Sequence, residues 1–258
     1  MSEKMENNKT TPVKRILDYT IERDKEFQPM PMEHVAAAPY FDSHADVLEQ
    51  AQSNYGCAMD AILELTDNPI DAGAKNINIL LTFEDNDEPI IVISDDGKGM
   101  DATIVKDRYF LIRKDPNARS STSLGKWGMG AKGALAYLGG RAQAYSKLSG
   151  MVGNIVYGQN YDGICDVDAP VAIINPQNFP EEYADMENCW LAWNTYDQGT
   201  MVIIRDLRPA VAADCKNNGR AAFVKELEER IGLAYGRNFI SKGINFRING
   251  KLIKAIDI

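Results

Sequence analysis

The chain has 258 residues, 45% of them apolar and 25% charged, with a net charge of −9 and a pI near 4.9. That length fits one large domain with a substantial core, or one domain with a fragment of a second. The acidic balance argues against gripping nucleic acid through the overall field, and no run reaches the ~18 apolar residues of a membrane span.

The start, "MSEKMENNKT", is polar and lacks the apolar core of a signal peptide. It reads as an unstructured tail on a soluble, intracellular protein. The following stretch, from Val13 to residue 40, mixes charges with prolines and reads as an arm. From Asp42 the pattern tightens: Leu48, Ala51, Tyr55, Ala58, Ile62 and Leu65 recur at spacings of three and four, predicting an amphipathic helix capped by Asp42 or Ser43. Pro69, inside "ELTDNPIDAGA", is expected to kink or end it. Ile77, Ile79, Leu81 and Phe83 then alternate with mostly polar neighbours, as in a half-buried strand. "EDNDEP" predicts a turn, and "IIVIS" a short apolar strand running into a glycine loop. Residues 101–123 are polar and rich in basic groups. "LGKWGMGAKGALAYLGG" follows, helix-like in its second half, and "GMVGNIVYG", "VAII" and "GTMVIIRDL" read as strands. "RAAFVKELEERIGLAYGRNFI" predicts a helix, and "INFRINGKLIKAIDI" a hairpin turning at Asn249-Gly250. This order suggests an α+β sandwich with a mixed or antiparallel sheet.

Three stretches invite chemistry. At ~100° per residue, Glu64, Asn68 and Asp71 fall within a sector of roughly 60° on the helix, apart from its apolar stripe. The plain alternative is a solvated face. In "SDDGKGM", Asp95 ends a strand, and Gly97 and Gly99 let the backbone approach a flat ligand. A carboxylate buried there needs a donor such as an exocyclic amine, although a tight turn would also explain the spelling. In "GKWGMGAKG", Gly125, Gly128 and Gly130 expose amides that suit phosphate oxygens, and Lys132 adds a cation. The run is not a P-loop, and it does not follow a strand within a βαβ unit. The four scattered cysteines, Cys57, Cys165, Cys189 and Cys215, form no C-x-x-C pair and read as reduced thiols.

Taken in order, "ELTDNPIDA", "DDGKGM" and "LGKWGMGAKGALAYLGG" resemble the GHKL superfamily of ATPases, which groups gyrase B subunits, MutL, histidine kinases and Hsp90-type chaperones. Within it these motifs look most like the Microrchidia (MORC) branch and its prokaryotic relatives, and the resemblance covers about Ala45 to Asp206. The resemblance implies a Bergerat-type α/β sandwich with a mixed, mostly antiparallel sheet, helices on one face and a flexible ATP lid. It implies a tail and arm over residues 1–40, an ATP-binding domain over 41–240, and opening strands of a transducer-like domain over 241–258. ATP and Mg2+ are the implied ligands. Glu64 matches the general base, Asn68 the magnesium ligand and Asp71 the acid closing that motif. Asp95 matches the acceptor of the adenine amine, Thr200 its support, directly or through water, and Gly97, Gly99 and Met100 shape the adenine pocket. Gly125, Lys126, Trp127, Gly128, Met129 and Gly130 match the lid around the phosphates, with Lys132 close by.

The same likeness implies ATP-dependent homodimerisation in a DNA or chromatin clamp, with any DNA contact made by parts beyond this domain. The arm could cross to a partner subunit or strap its own domain. Family members usually continue into a transducer that supplies a cation to the γ-phosphate, so slow hydrolysis is expected from this chain alone. A histidine or anti-sigma kinase and an ATP-binding pseudo-enzyme are alternatives on the same fold. His34 and His44 read as ordinary polar residues, and Trp190 and Trp193 as packing. Lys106, Arg108, Arg113, Lys114 and Arg119 read either as phosphate or partner contacts or as a solvated loop.

Overall fold

The computed structural model describes residues 53–83, 87–110, 130–151, 154–161, 172–174, 197–216 and 219–256. The arm, both histidines, residues 111–129, Cys165, Cys189, Trp190 and Trp193 lie outside them.

Four helices are described: α1 (Ala58–Asp71), α2 (Gly130–Leu138), α3 (Pro209–Cys215) and α4 (Gly219–Tyr235). The strands are β1 (Asn76–Phe83), β2 (Pro89–Asp95), β3 (Gly139–Lys147), β4 (Asn154–Asn160), β5 (Ala172–Ile174), β6 (Gly199–Leu207), β7 (Asn245–Ile248) and β8 (Lys251–Leu252). They form one sheet in the order β5-β4-β3-β6-β2-β1-β7-β8. Every pairing is antiparallel except β1 with β7.

The predicted first helix is interrupted. Residues 55–57 are not helical, Cys57 is extended (φ −158°, ψ 168°), and α1 starts at Ala58. At the other end α1 runs through Pro69 instead of stopping. The proline sits in the last turn, where its missing donor removes a single bond. The carbonyls of Asn68, Pro69 and Ile70 are then taken by the amides of Ala72, Ala74 and Gly73.

Helices pack on one face of the sheet because the strand side chains alternate. Ile77, Ile79 and Leu81 of β1, Ile91 and Ile93 of β2, and Val202 and Ile204 of β6 share a core with Ile62 and Leu65 of α1, Leu135 of α2 and Leu227 of α4. The opposite face carries Ile90, Val92, Tyr145, Met201 and Ile203, which are buried as well. The closing hairpin turns as predicted, with Asn249 and Gly250 both at positive φ (46° and 83°), the type I′ geometry that matches strand twist.

Tyr235, near the end of α4, ties that helix to α1. Its hydroxyl lies 2.7 Å from Asp67 Oδ1, 2.9 Å from the Leu63 carbonyl and 2.7 Å from the Thr66 hydroxyl. Its ring stacks on Phe246 of β7 at 4.9 Å and 10°. Tyr235→Phe keeps the ring and deletes the hydroxyl, so it is expected to destabilise the fold by about 1–2 kcal/mol. A denaturant midpoint unchanged from wild type would show that this hydroxyl does not join the two helices.

Candidate functional site

α1, the end of β2 with the loop and turn that follow it, and the start of β6 meet around one cavity of about 320 Å³. Six of the sequence-predicted residues stand on its wall: Asn68, Asp71, Asp95, Gly99, Met100 and Thr200. Leu65, Pro69, Ile93, Ile104, Tyr109 and Val202 supply most of its apolar lining. A largely apolar pocket with a few polar groups is the usual form of a small-molecule site. Its size suits a planar ring system.

Asp95 is 8% exposed and caps β2. Its Oδ1 accepts the Gly97 amide at 2.8 Å, and the nearby Thr200 backbone amide also favours its charged form. Burial pushes its pKa up to about 7, against the pull of those two amides. Gly97 is therefore a buttress behind Asp95 instead of part of the cavity wall. Asp96 faces the other way: it accepts the amides of Lys75 and Asn76 and the Asn76 side-chain amide.

Gly99 turns the loop at φ +70°, where a Cβ would fall 2.1 Å from the Lys147 carbonyl oxygen. The next residue, Met100, is pinned by its amide to Ser146 Oγ at 2.7 Å. Ser146 is fully buried, pairs across the strands with Thr200, and has its hydroxyl 2.9 Å from that of Thr200.

On α1, Asn68 and Asp71 share the cavity wall, as their spacing predicted. The Asn68 side-chain nitrogen is buried with no hydrogen-bond partner, and a buried orphan donor calls for a ligand. Glu64 lies one turn earlier, half-buried and off this wall. Burial foremost, and then the neighbouring Asp67, raises its pKa. It packs against the start of α2, where a Cβ on Gly130 would sit 1.5 Å from Glu64 Oε1. The Tyr55 hydroxyl donates to the Gly130 carbonyl at 2.6 Å, and burial followed by the Glu64 charge raises that hydroxyl's pKa.

Lys132 is 3% exposed in the first turn of α2 and is not on the cavity wall. Residues 125–129, expected to cover phosphates, lie outside the described residues, as do Arg113, Lys114, Arg119 and the side chains of Lys106 and Arg108.

The sequence reading missed Lys98 and Tyr109 on the cavity wall and Ser146 behind it. Tyr109 comes from a stretch read as polar, but a π-helical turn at Ile104–Phe110 brings it to the cavity. Burial, then the Asp95 charge, pushes its hydroxyl pKa up. Ser146 lies on β3, a strand that was not predicted. Among the described residues no three His, Cys, Asp or Glu side chains cluster as a metal cage, and no helix is long and apolar enough to cross a membrane.

Comparison with known proteins gives one family. The model described as histidine kinase-, DNA gyrase B-, and HSP90-like ATPase matches residues 55–189, more than half of the chain. No curated protein matches.

Proposed function

The chain belongs to the histidine kinase-, DNA gyrase B- and HSP90-like ATPase family, and from that premise we propose that its cavity binds ATP and hydrolyses it with magnesium. One observation carries the reading. A buried carboxylate, Asp95, and an orphan amide, Asn68, meet on the wall of a single apolar cavity.

Each residue then has a task. Asp95 accepts the exocyclic amine of adenine, and Met100, Ile93 and Val202 cover the ring. Asn68 and Asp71 face the phosphate end. Asn68 offers its side-chain carbonyl oxygen to a magnesium ion that takes most of its other ligands from phosphates and water, and its unpaired NH2 group donates to a phosphate oxygen. Magnesium, when bound, neutralises phosphate charge. Glu64 orients the attacking water and takes its proton, and its raised pKa makes it the stronger base at neutral pH. The glycine run over residues 125–129 wraps the phosphates, with Gly130 at its end.

The spelling of the motifs supports a finer assignment, to a Microrchidia-like ATPase in which ATP binding pairs two copies of the chain as part of a clamp. Calorimetric titration with ATP, with and without magnesium, tests the first reading, and light scattering on the same samples tests the pairing. Saturable, magnesium-enhanced binding is expected, together with a doubled mass. The absence of saturable ATP binding would remove the proposal, and a constant mass would remove the pairing.

The ionisation of Asp95 sets a pH dependence. Its pKa in the empty site is about 7, and only the ionised carboxylate accepts the amine. Below pH 7 binding must expel a proton, so affinity falls as pH falls and levels off above 7. In excess magnesium, ATP should bind about tenfold more weakly at pH 6 than at pH 8. A flat profile from titrations across that range would show that Asp95 does not meet the base as an anion.

A further inference from the structure

We infer that Ser146 is a positioning residue for base selectivity: it fixes the Thr200 hydroxyl as an acceptor toward the cavity, so that the site takes a purine with a 6-amino group and turns away one with a 6-oxo group. The inference rests on the nucleotide reading above.

A serine hydroxyl has one donor and two acceptor positions. Ser146 is fully buried among protein groups. Its oxygen accepts the Met100 amide at 2.7 Å, and its proton goes to the Gly199 carbonyl at 3.3 Å. One acceptor position remains, and Thr200 Oγ1 stands 2.9 Å away. Either hydroxyl of the pair can donate; assigning the Ser146 proton to the Gly199 carbonyl makes Thr200 the donor. Its own proton is thereby directed at Ser146, away from the cavity that Thr200 lines. Only lone pairs are left on the cavity side.

The sheet register sets this beside the main polar group of the site. Asp95 pairs with Thr200, and Thr200 pairs with Ser146. Asp95 and Thr200 thus stand side by side on the face that bears the cavity, and both are acceptors. An amine at the six position meets two acceptors, whereas an oxo group there meets the same two and is repelled. Discrimination then comes from a mismatch built against the wrong ligand, not from one contact to the right one. Ser146 touches no ligand. It acts through Thr200.

ATP and inosine triphosphate differ at one edge of the base, an amine at position six with a bare N1 against an oxo group with a protonated N1, and the change that a Ser146 substitution makes in the ratio of their dissociation constants, measured by calorimetry, reads the effect. Wild type is expected to prefer ATP by about 10²-fold. In Ser146→Ala the Thr200 hydroxyl is free to turn and donate to the oxo group, and the preference should shrink by about tenfold. Ser146→Cys keeps the buried volume with a weak acceptor and should shrink it likewise, which covers the case of an alanine variant that does not fold. In a Thr200→Val background the Ser146 substitutions should leave the ratio alone. Loosening of the fold would weaken both nucleotides together and would not move the ratio. An unchanged ratio in a folded Ser146 variant, or an equal shift with and without the Thr200 hydroxyl, overturns the inference. Wild type that binds both nucleotides equally overturns it while leaving the nucleotide site standing. Wild type that binds neither overturns the underlying reading as well.

Discussion

Glu64→Gln is expected to lower ATP turnover by about 10²–10⁴-fold while leaving ATP affinity within about twofold of wild type. Glutamine keeps the shape that packs against Gly130, where there is no room for even a Cβ, so α1 and the start of α2 should stay in place. What it loses is the ability to take a proton. The wild-type carboxylate is half-buried, and its raised pKa, due first to burial and then to the Asp67 charge, makes it a better base than a solvated glutamate. Because Glu64 stands off the cavity wall, one turn from Asn68, its loss should fall on kcat and not on binding. Phosphate release under single-turnover conditions, beside a calorimetric Kd, separates the two. Wild-type turnover by the glutamine variant would end the assignment of Glu64 as the base, and a large loss of affinity would move it into the binding surface.

The second large effect is expected at Asp95. Asp95→Asn should weaken ATP binding by about 10²-fold or more. One carboxylate oxygen already serves the Gly97 amide, so an asparagine carbonyl takes that place and its NH2 group turns to the adenine amine, donor against donor. The charge is lost as well. Stability should move the opposite way. A pKa raised from 3.8 to about 7 means that the fold favours the protonated form. That preference stabilises the protein at low pH and is lost as pH rises through 7. At pH 8 the empty site therefore holds a desolvated anion at a cost on the order of a few kcal/mol. Asparagine removes that cost, and the variant should unfold at a higher temperature than ligand-free wild type at pH 8. Weaker binding together with a higher Tm would mark Asp95 as a residue kept for binding at the expense of stability. A variant that binds ATP normally would refute the adenine contact.

The polar side of α1 was legible in part: Glu64, Asn68 and Asp71 depart from an otherwise regular apolar stripe and helical spacing predicts one face for them, yet only Asn68 and Asp71 line the cavity, while Glu64 lies off its wall against the start of α2. Asp95 was legible for a different reason: an acid between an apolar strand and two glycines has few structural explanations. Thr200 gave little signal alone and became a candidate only through the order of the motifs. Other elements carried misleading local signals. β3, "GGRAQAYSK", opens with two glycines and alternates small with polar residues, so it lacks the β-branched run expected of a central strand. Its burial comes from having β4 and β6 on either side, a tertiary fact. Ser146 was lost with it. Tyr109 was hidden because a π-helical turn does not repeat with a helical or strand period. α3 is only seven residues long, too short for periodicity to register. Pro69 argued locally for a break that its place in a final turn made unnecessary.

The position of β6 has a consequence for how this protein becomes active. It lies between β3 and β2, and its first residues close the cavity against Asp95. The two strands it joins were laid down much earlier in the chain, so the last wall of the pocket arrives only after a long loop has been closed. Such non-local pairing makes assembly slow. No shorter N-terminal piece ending before residue 199 can possess the finished pocket. Capture of the nucleotide is then also a report that the strands have been threaded in the correct order, and ligand present during refolding should draw the population toward that single arrangement.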